Sequence, residues 1–529
     1  MKKVFQFAIG GILLSNIALA QNEVDALRYS QTNFLGTARS SGMAGAFGAL
    51  GGDFSTLSTN PAGIGLYRQS EITFTPSFFN QSTTSNMDGT SLQDSKANFN
   101  LGNIGIVFAH YNPDAQSDWK GISFGFGYNR LNNFYNSFEM QGGVNNRGSL
   151  LDSYLADANK QGGIYQNYNP YGTQLAWNNY LLDSTGTGLV HVLPNYGETQ
   201  SMSVQSSGSM GEIVLSFGGN YNDKLYLGGT IGIPQIHYSE SSQYTESMGK
   251  DTSIYGFKSF EQDNNFTTTG TGVNFKFGMI YKPVDWLRIG GAFHSPSYYS
   301  MHDDYNSSMT TNFTSGNYFG AKTTNTWGPL DQNFNPLGTG SFDYSLTTPG
   351  SVIGSLGFVL KDIGMIDVDY EYINYASAHL SSSTPGDFQA ANQAISNEYT
   401  STGNLHVGAE LRILNPLSLR LGYAYYGSPY KSGVGFDGSG SSMSYTAGLG
   451  FREKNFFMNL AYVLRQTKSN YYFNDQTSAF VDPSINTSKA SSIMMTIGFK
   501  FGSRAKSKPR ENRPAPRPNP NPGNYNYHQ

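Results

Sequence analysis

The 529-residue chain contains no cysteine and few charges. Past its first twenty residues it has no apolar run near the roughly 18–20 residues that a membrane-spanning helix needs. The missing cysteine excludes a disulfide framework, a lipoprotein attachment site and thiolate metal sites. Charged residues make up 13% of the chain and the formal net charge is −4, so nothing points to nucleic acid as a partner. Chemistry-bearing motifs are also scarce. The eight histidines include no pair at ligand spacing with a third ligand close by, which leaves no metal or cofactor site to expect. Gly45, Gly48 and Gly51 have the wrong spacing, and no preceding strand, for a dinucleotide fingerprint. No nucleophile–base pair stands out, and no enzyme is expected.

What is abundant is glycine (62), tyrosine (36) and phenylalanine (35). The first twenty residues read as a secretory leader: Lys2 and Lys3, then an apolar core from Phe5 to Leu14, then Ala18-Leu19-Ala20 before the expected cut. From residue 71 onward, stretches of about ten residues alternate apolar and polar. On the last of them Ile493, Met495, Ile497, Phe499 and Phe501 share one face, opposite Met494, Thr496, Gly498 and Lys500. Low charge, aromatic richness and alternation without long apolar runs suit an antiparallel transmembrane β-barrel with its apolar faces toward lipid.

The links between these stretches are short at 112–118, 220–223, 282–285, 361–364, 414–416 and 453–455. They are long at 81–97, 139–209, 246–262, 300–340, 378–402, 427–441 and 468–488. Long and short alternate throughout, as expected of an outer-membrane barrel with tight periplasmic turns and large extracellular loops. About fourteen strands result, with both chain ends on the short-turn side. Helical spacing is expected at 149–160 and 387–398, on the extracellular rim. The stretch 503–529 is basic and proline-rich and reads as a disordered periplasmic tail. Four segments follow: leader 1–20, N-terminal segment 21–69, barrel 70–502 and tail 503–529.

If the apolar faces meet lipid, the opposite faces line the lumen. There Asp367, Asp369, Glu410, Arg412 and Arg420 fall near the short-turn rim. Two readings fit them: an ion-pair network that stiffens the wall, or a dock for the N-terminal segment through Arg39 or Asp53.

That segment is unlike the rest. Residues 36–65 (GTARSSGMAGAFGALGGDFSTLSTNPAGIG) hold eight glycines and end in Asn60-Pro61-Ala62-Gly63. Pro61 keeps it from pairing as another strand. Its glycine-rich lead and Asn-Pro-Ala signature resemble the hatch of the FadL/TodX family of outer-membrane transporters for hydrophobic compounds. The stretches 272–296, 347–377, 407–429 and 445–463 are similar to that family's strands. The resemblance implies a fourteen-stranded barrel with the N-terminal segment folded inside as a plug. It also implies uptake of long-chain fatty acids or aromatic hydrocarbons and a lateral exit at a kinked third strand. Asn60, Pro61, Ala62 and Gly63 would then be gate elements. Met43, Phe47, Leu50, Phe54 and Leu57, with Ile64, would either line an apolar ligand pocket or glue plug to wall. Gly125 and Gly127, inward on the third strand, suit a bend, a close approach of the plug or ordinary barrel curvature. Partners expected are a hydrophobic small molecule and outer-membrane lipid of a Gram-negative bacterium. The family also contains relatives that assist protein secretion, and the long loops and basic tail would suit a secretion or periplasmic protein partner.

Overall fold

The computed structural model describes residues 22–142, 148–193, 197–248, 256–314, 323–434, 439–473 and 483–502. The leader and the basic tail lie outside the described residues. Fourteen strands form the wall: β1 Ser70–Met87, β2 Thr90–Tyr111, β3 Trp119–Asn133 resuming as Asn136–Gly142, β4 Thr199–Tyr221, β5 Leu225–Ser247 and β6 Phe257–Val284. They continue as β7 Leu287–His294 with Tyr298–Phe313, β8 Gly340–Thr347 with Ser351–Leu360, β9 Gly364–Asn374 and β10 Ser401–Leu414. The last four are β11 Leu417–Tyr426, β12 Ser442–Glu453, β13 Phe456–Tyr471 and β14 Ser484–Phe501. Each pairs antiparallel with the next. β14 pairs back onto β1 from Ser70↔Phe501 to Asn86↔Ile485, so the sheet closes on itself.

The alternation explains which face points where. Phe74, Phe124, Phe277, Tyr370, Leu449 and Phe499 are all about half exposed on the outer face. Their neighbours Thr73, Ser123, Lys276, Asp369, Gly448 and Gly498 are buried inward. The wall is therefore inverted relative to a soluble protein, and its inward polar face must find partners inside the lumen.

Two expectations change. The long link at 81–97 is a tight hairpin instead. β1 and β2 run on to the two-residue turn Asp88-Gly89, with φ of 48° and 81°. This is the left-handed pair that a two-residue hairpin requires. The ladder there continues through Met87↔Thr90. In the same way β4 begins at Thr199 and β14 at Ser484, earlier than their apolar alternation begins. Above the lipid both faces of a strand meet water or a polar loop, so the strand persists after its apolar signature has ended.

The long link between β3 and β4 carries α4 (Leu150–Lys160), which begins at a capping box. Leu151 N donates to Ser149 Oγ at 3.0 Å, and Ser149 N donates to Asp152 Oδ2 at 2.7 Å. Its apolar side places Leu151 and Tyr154 in one core with Met87, Phe138, Met140 and Phe260. The loop thus folds onto the strand tops and gives the wide end a packed cap. A second helix, α5 (Gln389–Glu398), lies near the same end and buries Ile395.

Candidate functional site: a plug and the cavity above it

Residues 22–69 lie inside the barrel as short pieces of helix joined by tight turns: α1 Glu23–Arg28, α2 Ala38–Ser41, α3 Thr56–Thr59 and a 3-10 turn over Pro61–Leu66. Asn22 caps α1, its side chain accepting from the backbone of Val24 at 3.0 Å. A buried segment this irregular cannot satisfy its own main chain, so the wall must supply the partners. Thr496 accepts from Ala38 N at 2.7 Å, and Thr446 donates to Gly42 O at 3.0 Å. Thr230 donates to Leu57 O at 2.8 Å.

The aspartates on β9 do the same work. Asp369 accepts from the backbone N–H groups of Phe47 and Gly48, both at 3.0 Å, and Asp367 accepts from Ala49 at 3.1 Å. Successive N–H groups converging on carboxylates make an anion nest in the plug, with the anion provided by the wall.

Glu410 accepts from Arg39 Nε at 3.1 Å and from Arg420 Nε at 2.7 Å, joining plug to wall through one carboxylate. Arg420 also donates to Asn459 at 2.9 Å. Burial alone would lower the Arg39 pKa, but the carboxylates of Glu410 and Asp53 outweigh it and hold it above its ordinary value. Two residues of the expected cluster stand apart. Asp53 stays within the plug, accepting from Thr37 Oγ1 at 2.6 Å and Ser55 N at 3.0 Å. Arg412 is exposed at the rim, donating to Lys361 O at 3.0 Å, because β10 has left the lumen by that point.

The Asn-Pro-Ala turn is held from three sides. Asn60 is 1% exposed. Its Oδ1 accepts from Ala62 N at 3.1 Å, and its Nδ2 donates to Gly48 O at 2.6 Å and to Met279 O on β6 at 3.3 Å. The wall partner is thus a backbone carbonyl and not a carboxylate. Two wall glycines make room: a Cβ at Gly278 would overlap Asn60 Oδ1, and one at Gly228 would overlap Pro61 O. Replacing Asn60 with Ala leaves the Gly48 carbonyl buried without this donor and should loosen the plug by about 1–3 kcal/mol. Asn60→Asp keeps the acceptor for Ala62 but turns an anion toward two carbonyls, so it should loosen the plug at least as much. Limited proteolysis of purified protein checks both, with faster cleavage within residues 36–65 as the expected result.

The apolar plug residues pack against the wall. Met43, Phe47 and Leu50 form one cluster with Val359 and Met365. Phe54, Leu57 and Ile64 form another with Tyr67, Val107 and Val214. Gly125 and Gly127 sit opposite this second cluster, where an added Cβ would meet Leu57 Cδ2 at 2.6 Å and Phe54 Cζ at 2.6 Å. They lie in an unbroken ladder, Gly105↔Gly127 and Val107↔Gly125. The irregularity of β3 comes farther along. Pairing with β2 ends at Asn103↔Asn129, and pairing with β4 slips between Arg130 and Asn132. After Phe134 and Tyr135 the strand resumes paired with β4, leaving residues 90–102 of β2 in a backbone ladder with β1 alone. Side chains of β3 bridge the gap, Arg130 donating to Leu101 O at 2.9 Å and Asn133 to Asn98 Oδ1 at 3.2 Å.

A hydrogen-bonded chain starts at that last rung. Asn103 accepts from Thr73 at 2.8 Å and donates to Asn129 at 2.9 Å. Asn129 donates to plug Ser58 at 3.0 Å, and Ser58 donates to Glu212 at 2.9 Å. Glu212 is fully buried and ion-paired with Lys276, with Asn274 donating to it at 3.0 Å. Neither Glu212 nor Lys276 belongs to the cluster expected from the sequence. A signal was present, since Lys276 takes the inward position between the outward Phe275 and Phe277.

Between plug and wall lies a cavity of about 160 Å³, bounded on the plug side by residues 29–30, 32–36, 40, 45, 48, 55, 58 and 59. Met43, Phe47, Leu50, Phe54 and Leu57 are not among its lining residues. Its polarity is graded. On β4, β7 and β9 the apolar lining residues Met210, Tyr299 and Ile373 stand farther from the short-turn end than the ionisable Glu212, His294 and Asp369. His294 Nε2 lies 2.6 Å from Thr59 O, and His406 Nδ1 lies 2.7 Å from Ala44 O, so both imidazoles touch plug backbone. Tyr29, which follows α1, lines the cavity and sits edge-on to Tyr238 at 6.2 Å, with Arg28 over the Tyr238 ring at 4.3 Å.

The fold and the seated N-terminal segment define a closed, plugged fourteen-stranded β-barrel. No protein-family model matches the chain, and no curated protein matches it. Among solved structures it is similar to a FadL homologue of Pseudomonas aeruginosa, with a TM-score of 0.52 and 14% identity over 89% of this chain and 99% of that one. It also aligns with the toluene transporter TodX of P. putida at a TM-score of 0.48 and 11% identity, covering 89% of this chain and all of that one. The toluene transporter TbuX of Ralstonia pickettii gives 0.46 and 14%, with 89% of this chain covered and 100% of that one. The fold is that of the FadL homologue, which agrees with the resemblance carried by the hatch residues.

Proposed function

We propose that the protein is an outer-membrane transporter that takes up hydrophobic small molecules, with residues 22–69 as its hatch. The observation that carries this reading is the graded cavity between plug and wall. It offers apolar surface toward the wide end and buried ionisable groups at its floor, which suits a small apolar or amphipathic molecule better than an ion. A volume near 150 Å³ accommodates one benzene-sized group. A longer acyl chain therefore requires α1 or the plug to move. Asn60, Pro61, Ala62 and Gly63 act as the gate element, because one turn there binds plug to plug and plug to wall. The exit is lateral, where β2 and β3 part beyond Asn103↔Asn129. Ser58 ties the plug to that last rung, so release of the plug also releases the rung.

Native mass spectrometry of the protein purified in a short-chain detergent tests the function. Retained fatty acids, aromatic hydrocarbons or other apolar molecules are expected, and Met210→Glu, which places a charge on the apolar side of the cavity, should reduce their occupancy about tenfold. An empty lumen together with a co-purified secretion or periplasmic protein would instead favour a protein-handling barrel.

A further inference from the structure

The outer wall carries a second concavity unrelated to the lumen. It is a groove of about 480 Å³ across β3 to β8, lined by Gln235, His237, Thr271, Ser300, His302 and Asp343 among others. All of these project outward, on the face that carries apolar side chains lower down. The change in character falls at one level on adjacent strands. On β5 it lies between Ile233 and Gln235, on β6 between Val273 and Thr271, and on β7 between Tyr298 and Ser300. Ile233, Val273 and Tyr298 are exposed apolar residues of the lipid-facing belt. The groove thus begins where the hydrocarbon ends, on the long-loop side.

Its chemistry is specific. Hydroxyl, amide and imidazole groups supply both donors and acceptors, while the groove holds one carboxylate and no lysine or arginine. His302 Nδ1 lies 2.7 Å from Asp343 Oδ1, which fixes both side chains at the rim. Tyr128 adds a ring at the other end, beside Gly211, where any Cβ would collide with it. A lining of this kind is poorly matched to a phosphate, whose charge needs cations. It is well matched to a ring of hydroxyl groups, which can donate and accept at every position while resting its apolar face on an aromatic ring.

We propose that this groove binds the saccharide headgroup of an outer-leaflet glycolipid, with the lipid's acyl chains lying on the belt below it. The proposal rests on reading the barrel as membrane-spanning with its long loops outward. Ligand uptake through the lumen does not enter it.

The test uses the full chain in nanodiscs of phosphatidylcholine doped with either digalactosyl diacylglycerol or phosphatidylglycerol, with bound lipid counted by native mass spectrometry. The wild type should retain the digalactosyl lipid in preference to the other two. A Gln235→Leu/Asp343→Leu variant should lose about thirtyfold or more of that retention, the factor expected when hydrogen bonds to a charged and a neutral partner are removed. Both positions are exposed, and heat-modifiable gel mobility shows whether the variant barrel remains folded. Equal retention of all three lipids, an unaffected variant, or equally good competition by free digalactose would overturn the proposal. The membrane reading is checked separately by quenching with bromo-acyl lipids, because Trp119 and Trp286 lie on the outer surface. Absence of quenching would remove that reading, whereas quenching with unselective lipid retention removes the groove proposal alone.

Discussion

A chain lacking residues 21–64 but keeping its leader should form a steadily conducting pore in planar bilayers, whereas the full-length protein stays closed. The wall does not need the plug to fold, because every ladder bond that closes it runs from strand to strand, including the β14–β1 seam. What the plug does is fill the lumen. With it gone, the inward face at the level of the plug exposes, beside a few apolar residues such as Val107 and Val214, glycines and hydrophilic residues such as Asn103, Glu212, Lys276, Asp367, Glu410 and Arg420. That surface wets readily, and water then supplies the hydrogen bonds that plug backbone had supplied. The wall glycines add to the effect, since side chains cannot collapse into the space from Gly228, Gly278, Gly408 or Gly422. A truncated barrel that inserts and remains insulating would mean that the cap, and not the plug, closes the lumen.

Replacing Glu410 with Ala should have the largest effect of any single substitution. Arg420 is 4% exposed and Arg39 lies beside it, and this one carboxylate answers both guanidinium groups. Removing it leaves two cations in the lumen without that partner, and breaking a buried pair in this way costs about 3–5 kcal/mol. The expected outcome is a lower unfolding midpoint on heat-modifiable gels together with a leak through the seated plug. Adding Arg420→Met to Glu410→Ala should recover much of the loss, because the buried charge is removed together with its partner. If Glu410→Ala matched the wild type in both readouts, the pairing of Arg39 with Glu410 would not hold the plug.

The cysteine-free, charge-poor composition, the alternation and the parity of link lengths together determine a closed barrel of fourteen strands, and the expected strands are all present. They are legible because lipid imposes a period of two on one face of every strand, and a short turn must end each strand on the same side. The signal fails where lipid ends. The top of β1 reads as loop because Gln81, Thr83 and Thr84 carry no apolar alternation, yet the Asp88-Gly89 turn joins two continuous strands there.

The candidate site was legible in its parts and not in its partnerships. Residues 36–65 stand out because so many glycines disfavour any long strand or helix, and the inward alternation of β9 and β10 marks Asp367, Asp369 and Glu410. Only the tertiary structure decides that the aspartates receive plug backbone instead of arginine, that Arg412 leaves the lumen, and that Glu212 pairs with Lys276. It alone also assigns Phe54 and Leu57 to plug–wall packing and not to the cavity. The physical reason is that a barrel's period states which face a residue takes, whereas the plug follows no period. Its contacts depend on which backbone groups remain to be satisfied at each height of the lumen, and that becomes fixed only when plug and wall are brought together.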